Sequence, residues 1–383
     1  MCMYLFLVAL FCLISLNAFA TKDVHPSLLR VKAGDKQLFF SGYVDGYYAV
    51  DFSNPYNGSY DLDQKGIGNG GRDFTSNPLY DRQFSFGYGF FQVEFEHKGV
   101  GFRLAYQFGD IVQKMYIDEP ERMRYIREAS VNLQLSEKLL MEVGYMPSIF
   151  GFETFINKEN MHATRSYMND FAPDFDAGAR FYYKTTADEV LKFQITNGWQ
   201  VERDKNNQPA LGAAYVREIP KKYLFNWGMF IGDESLRHQK AAYRWYNNIF
   251  MKINHGDRWI FAPVLDLGWE QQTKTGRQKK TWATWQSFGF SARYAVTEKH
   301  GVAARYDRTR DLRTIIPELN TGTPHGWNSN GYTLTYEYLY SENCTIRLEG
   351  RYVKSEDAVF QTSKKGKLID EDSFAMSQIA LSF

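Results

Sequence analysis

The chain has almost no cysteine. Of its 383 residues only Cys2, Cys12 and Cys344 carry a thiol, and the first two lie in an N-terminal stretch, MCMYLFLVALFCLISLNAFA, with the marks of a leader. An apolar run from Met3 to Leu16 precedes Ala18-Phe19-Ala20, an A-x-A cleavage site. No Lys or Arg stands before the run, which departs from the usual secretory signal. The run is shorter than the ~20 residues a spanning helix needs. Cleavage after Ala20 leaves 363 residues (383 − 20) and a single thiol, Cys344. An exported chain of that kind has no internal disulfide framework, so backbone pairing and packing must hold it together.

Excess charge is lacking too. The 45 Lys and Arg balance 44 Asp and Glu, which excludes the basic field of a nucleic-acid binder. After residue 20 no apolar stretch is long enough to cross a membrane as a helix. Catalytic and cofactor signatures are missing: there is no zinc spacing and no phosphate-binding glycine loop, so no cofactor is expected. Asp61-x-Asp63-x-Lys65-Gly66 begins like a calcium loop, but Lys65 spoils a ligand position and the distal Glu is absent. The seven histidines fall at expected short turns (His97, His255, His300), in expected outer loops (His162, His238, His325) and before the first strand (His25), and none is paired by the sequence with a nucleophile. No enzyme is expected.

What the chain does have is aromatics, 17% of its residues, set into strict alternation. In GFRLAYQFG, Phe102, Leu104, Tyr106 and Phe108 face one way and Arg103, Ala105 and Gln107 the other. In TIRLEGRYV, Ile346, Leu348 and Tyr352 oppose Arg347, Glu349 and Arg351. The chain ends on SQIALSF, with Ile379, Leu381 and Phe383 on one face and no polar tail. A period of two is the strand signal. It recurs in sixteen segments, near 37–52, 84–97, 100–112, 126–136, 139–147, 177–185, 190–198, 210–219, 224–233, 244–255, 259–272, 283–297, 300–311, 331–341, 344–355 and 374–383. Seven short links alternate with eight long ones, the pattern of outer-membrane barrels with short periplasmic turns and long outer loops. A soluble sandwich gives its turns no reason to alternate in length. The expected organisation is a leader at 1–20, a short segment at 21–36 and one all-β transmembrane antiparallel barrel at 37–383. Its last strand pairs with its first, and Pro263, which lacks an amide hydrogen, marks a bulge or a skipped ladder bond.

If the Phe, Leu and Tyr face meets lipid, the other face lines a lumen. It carries Arg103, Glu142, Arg180, Arg293, Arg305, Glu337, Arg347, Glu349 and Arg351 in mid-strand, where a closed apolar core would penalise them. Sixteen strands enclose an aqueous channel unless something fills it. The third long loop, at 148–176, is the expected constriction. It mixes Glu153, Lys158, Glu159, Arg165, Asp170 and Asp174 with Ile149, Phe150, Phe152, Phe155 and Ile156, too apolar for a loop in open water. Its acidic residues are expected to face the wall arginines across the gap.

The same region carries a likeness. GYMPSIFGFETFINKENMHATRSYMNDFAPDFDAGARFYY, followed by ITNGW, resembles the β-barrel porin-2 family of Gram-negative outer membranes. The matching positions are Gly144, Gly151 and Glu153, then Asn160, Arg165 and Ser166, then Ala172, Pro173 and Gly178, then Asn197, Gly198 and Trp199. The resemblance implies an outer-membrane porin and no particular solute. The expected function is passive diffusion of small hydrophilic solutes. The alternative is a non-conducting surface barrel whose long loops bind a partner or ligand. The expected surroundings are outer-membrane lipids and, through the terminal Phe383, the β-barrel assembly machinery.

Overall fold

The computed structural model describes residues 29–33, 36–53, 72, 74–237, 241–273, 280–316, 320–362 and 367–383. The leader, His25, His238 and residues 61–66 lie outside the described residues. Sixteen strands form the wall. They are β1 (Lys36–Asp51), β2 (Phe84–His97), β3 (Val100–Phe108), β4 (Ile126–Ser136), β5 (Leu139–Pro147), β6 (Phe175–Lys184), β7 (Glu189–Thr196) and β8 (Ala210–Ile219). The second half comprises β9 (Tyr223–Asp233), β10 (Tyr243–His255), β11 (Trp259–Thr273), β12 (Lys280–Ala295), β13 (His300–Asp311), β14 (Trp327–Ser341), β15 (Cys344–Ser355) and β16 (Glu371–Ser382). Each pairs antiparallel with the next, and β16 returns to β1 with Phe374 opposite Asp51 and Ser382 opposite Tyr43.

Closure explains the bare terminus. An open edge in lipid would leave backbone amides without partners, so the last strand must end inside the sheet. Gly42 and Phe383 exchange both backbone hydrogen bonds, at 3.1 and 3.0 Å. Below that point β1 outruns β16, and its spare edge is taken by a short strand, Leu29–Ala33, with Leu29 opposite Phe40 and Ala33 opposite Lys36. The segment at 21–36, expected as a plain lead-in, thus supplies a strand of its own.

The alternation sorts the side chains as expected. Leu104, Leu348 and Ile379 point outward, more than half exposed, while their neighbours Arg103, Arg347 and Gln378 are buried inside. The outward band is apolar because a charge there would cost about 2–4 kcal/mol at mid-membrane. The strand ends shift where local chemistry wins. β3 stops at Phe108 rather than near 112, and the chain turns into the helix Asp110–Met115, whose Ile111 and Val112 are buried. At Pro263 the β10–β11 ladder lapses. Phe250 pairs with Val264 and Ile253 with Phe261, while Met251 and Lys252 have no cross-strand partner there. On its other side Pro263 pairs with Phe290 without a break. The missing amide therefore costs one local gap and no change of register.

Candidate functional site

The lumen is organised by the third long loop, residues 148–174, which leaves β5, folds inward and returns at β6. Its apolar residues explain the fold: Ile149, Phe150, Phe155, Ile156 and Met168 are all buried. Phe150 sits edge-on to Tyr246 at 5.5 Å, and Phe152 packs on Phe250 at 5.4 Å. Two inward glycines make room for this. A Cβ on Gly289 would lie 2.1 Å from the Met168 methyl, and one on Gly228 would lie 2.8 Å from the Phe150 ring.

The polar anchors climb one wall. At the short-turn end, Lys158 Nζ donates to Ser382 Oγ (2.8 Å) and to the Glu342 carbonyl. Higher up, Arg347 donates to the carbonyls of Asn157, Asn160 (2.7 Å) and His162 (3.1 Å). The Glu349 carboxylate accepts from the amides of Ala163 (2.6 Å) and Thr164 (3.1 Å). Arg351 donates to the Arg165 carbonyl (2.8 Å). Arg305 donates to the Thr164 carbonyl (2.8 Å) and pairs with Glu153 at 2.7 Å. At the top, Asp170 accepts from the Ser76 amide (3.1 Å) and hydroxyl (2.6 Å), which ties this loop to the first one. Arg347, Glu349 and Arg351 stand at alternate positions of β15, so one strand reads successive loop residues.

This corrects the expected pairing. Facing rows of opposite charge were anticipated; Arg305–Glu153 pairs in that way across the gap, while Arg347 and Arg351 meet loop carbonyls instead. Asp170 and Asp174 pair with Arg165 inside the loop, at 2.9 and 2.7 Å, and Glu159 lies in the turn Asn157–Glu159. The reason lies in the backbone. A loop leaving water must satisfy its own N–H and C=O groups, and a guanidinium with five donors can serve several carbonyls at once. His162, expected in an outer loop, is fully buried against Thr335 Oγ1 at 2.7 Å.

The remaining wall charges form linked clusters, with Glu142 shared between Arg103 and Arg180. Arg103 stands within 3.7 Å of Glu94, Glu128 and Glu142. Arg180 pairs with Asp176 at 2.8 Å, and Glu337 bridges Arg293 and Arg347 at 2.6 Å each. Arg127 is a luminal residue that escaped the sequence reading. Register slips between Ala105 and Tyr106, so Arg127 and Glu128 both turn inward. Period-two counting assigns Arg127 to the lipid face, and only the cost of a charge there hints at the bulge. At the outer surface His325 and Asp357 pair at 2.8 Å, a loop contact the sequence did not suggest.

Because the loop is fastened to the β13–β15 side, the free space lies on the other side. A cavity of about 450 Å³ runs between the loop and the β4–β9 wall, from Tyr116 and Asp174 near the long loops to Asp188 and Pro220 at the short turns. Arg127, Arg180 and Lys192 line it from the wall, and Glu153, Arg165 and Asp174 from the loop.

A family model described as "putative beta-barrel porin-2, OmpL-like" matches residues 37–383. Among solved structures the chain is similar to the outer-membrane channel DcaP of Acinetobacter baumannii, with 12% identity over 93% of this chain and 99% of that one, and a TM-score of 0.60. It is similar to an anion-selective porin from Comamonas acidovorans, with 12% identity over 91% and 100% of the two chains and a TM-score of 0.59. Salmonella typhi OmpF in complex with daunomycin gives 10% identity over 93% and 100%, and a TM-score of 0.59. At these identities the likeness is one of fold. No curated protein matches the chain.

Proposed function

The chain belongs to that β-barrel porin-2 family of outer-membrane diffusion channels, and from this premise we propose a narrow, off-centre pore in which the third loop is the sieve. The supporting observation is the cavity between the loop and the β4–β9 wall, which is lined from the long-loop end to the short-turn end. Its lining carries Arg127, Arg165, Arg180 and Lys192 against Glu153, Asp174, Asp188 and Glu218. Four charges of each sign leave little net field, so the solutes are small and hydrophilic, with weak preference by charge. Single-channel recording of refolded protein in a planar bilayer tests this. The expected result is a small, steady conductance with a reversal potential near zero under a salt gradient. Arg127→Glu should move that potential toward cation preference. A barrel without conductance would return the ligand-binding reading.

The route to the membrane is part of the same proposal. The leader is removed after Ala20, as N-terminal sequencing of the mature protein would read, and Phe383 is the residue that the assembly machinery recognises. Its ring faces outward, and its backbone closes the sheet on Gly42. Deleting it should lower the outer-membrane level several-fold, while protein refolded in detergent keeps its heat-resistant barrel. Normal levels in cells would remove the recognition role.

A further inference from the structure

On the outer surface of β13–β16, cross-strand pairing orders the side chains into rows. One row is Val302, Tyr336, Leu348 and Ser377, and the next toward the long loops is Ala304, Leu334, Gly350 and Ala375. Above these lie Tyr306, Tyr332, Tyr352 and Ser373, then Arg308, Asn330, Lys354 and Glu371. Arg310 follows, opposite Asn328.

Each row has a physical reading. The two lower rows hold a shallow exterior groove of about 580 Å³, which extends to Tyr48 and Val50 of β1. Gly350 floors it, and a Cβ added there would meet nothing closer than 3.9 Å. The tyrosine row packs ring to ring, 5.4 Å from Tyr306 to Tyr332 and 6.4 Å from Tyr332 to Tyr352. Such a girdle marks the boundary of the hydrocarbon. The row above therefore stands at head-group level on the long-loop side.

There the charges do not cancel. Lys354 is held by Asp370 at 2.8 Å and Glu371 at 3.8 Å, and Glu356 is taken by Asn328. Arg308 and Arg310 are exposed, two residues apart on one face, and neither guanidinium has a hydrogen bond or ion pair with any described residue. Two guanidiniums without a partner among the described residues, set above an apolar groove, match a phosphate over acyl chains, since the guanidinium fork binds phosphate in two-point fashion.

We propose that β13–β16 form a docking site for a phosphorylated lipid of the outer leaflet, with Arg308 and Arg310 on its phosphate and the groove across Gly350 on an acyl chain. The site does not depend on whether the barrel conducts.

Three probes test it on the purified full chain in detergent: a bis-phosphorylated, multiply acylated glycolipid, the same lipid dephosphorylated, and inorganic phosphate. Binding is followed by native mass spectrometry. Arg308→Gln with Arg310→Gln should weaken the phosphorylated lipid about thirtyfold, taking about 1 kcal/mol for each cation at a charged membrane surface. The dephosphorylated lipid should bind both proteins equally weakly. Gly350→Leu, with both arginines kept, should also weaken the phosphorylated lipid, by filling the groove. This variant gives an independent answer if the double one fails to fold. Unchanged lipid binding in the double variant or in Gly350→Leu would overturn the site. So would inorganic phosphate binding as tightly as the lipid, or a double variant that loses an oligomer instead of a lipid.

Discussion

Cutting the third loop back, so that residues 150–172 are replaced by a short polar linker between β5 and β6, is expected to raise single-channel conductance several-fold. Sugars larger than the native cutoff should then pass in a liposome-swelling assay. The loop's buried side chains occupy the interior that sixteen strands would otherwise leave to water. The wall survives its loss, because the groups the loop now satisfies face a lumen that floods. Arg305, Arg347, Glu349 and Arg351 exchange loop partners for water, which is a far smaller penalty than leaving them dry. The cross-strand ladders and the closure of β16 on β1 involve no loop residue. Heat-modifiable mobility of the barrel should therefore stay native while conductance changes. A shortened variant with unaltered conductance and cutoff would mean that the limiting aperture lies elsewhere. The first long loop, through Phe74 and Ser76, would be the next candidate.

The wall was legible because its physics is local. Alternation in segments such as 100–108 and 344–355 follows from lipid on one side and water on the other, and each strand announces itself without help from its neighbours. The inward fold of the third loop could also be read, from five apolar residues that open water would not tolerate. The partners of that loop could not be. Arg347 meets three carbonyls nearly two hundred residues away in sequence, and a carbonyl leaves no mark in the amino-acid code. Residue types suggested salt bridges, because charge is what a sequence displays. The structure uses backbone groups, because these are what an inward loop must satisfy. Arg127 was missed for a related reason: a bulge changes the parity of every residue near it. The inward glycines Gly228 and Gly289 were a usable signal, since a strand gives up packing at a glycine only where something else fills the space.

Removing the Arg347 guanidinium should loosen the loop without opening the barrel. Arg347→Ala takes a donor from each of three loop carbonyls at once, and leaves Glu337 with Arg293 alone. Buried groups left unpaired cost about 1–3 kcal/mol each. A net change of about 3 kcal/mol already moves a docking equilibrium by more than a hundredfold. Recordings should turn from a steady level to rapid fluctuation, with a raised mean conductance as the loop leaves the wall. Glu349→Ala should act alike, since it withdraws the acceptor for the Ala163 and Thr164 amides. The two changes together should do little more than either alone. Both report on one event, the docking of a single loop, and once it is undocked the second anchor has nothing left to hold. Such coupling is what a double-mutant cycle measures. Strictly additive effects on conductance would mean that Arg347 and Glu349 act as independent charges on the permeating ion. A quiet, native trace from Arg347→Ala would mean that the apolar face of the loop holds it in place unaided.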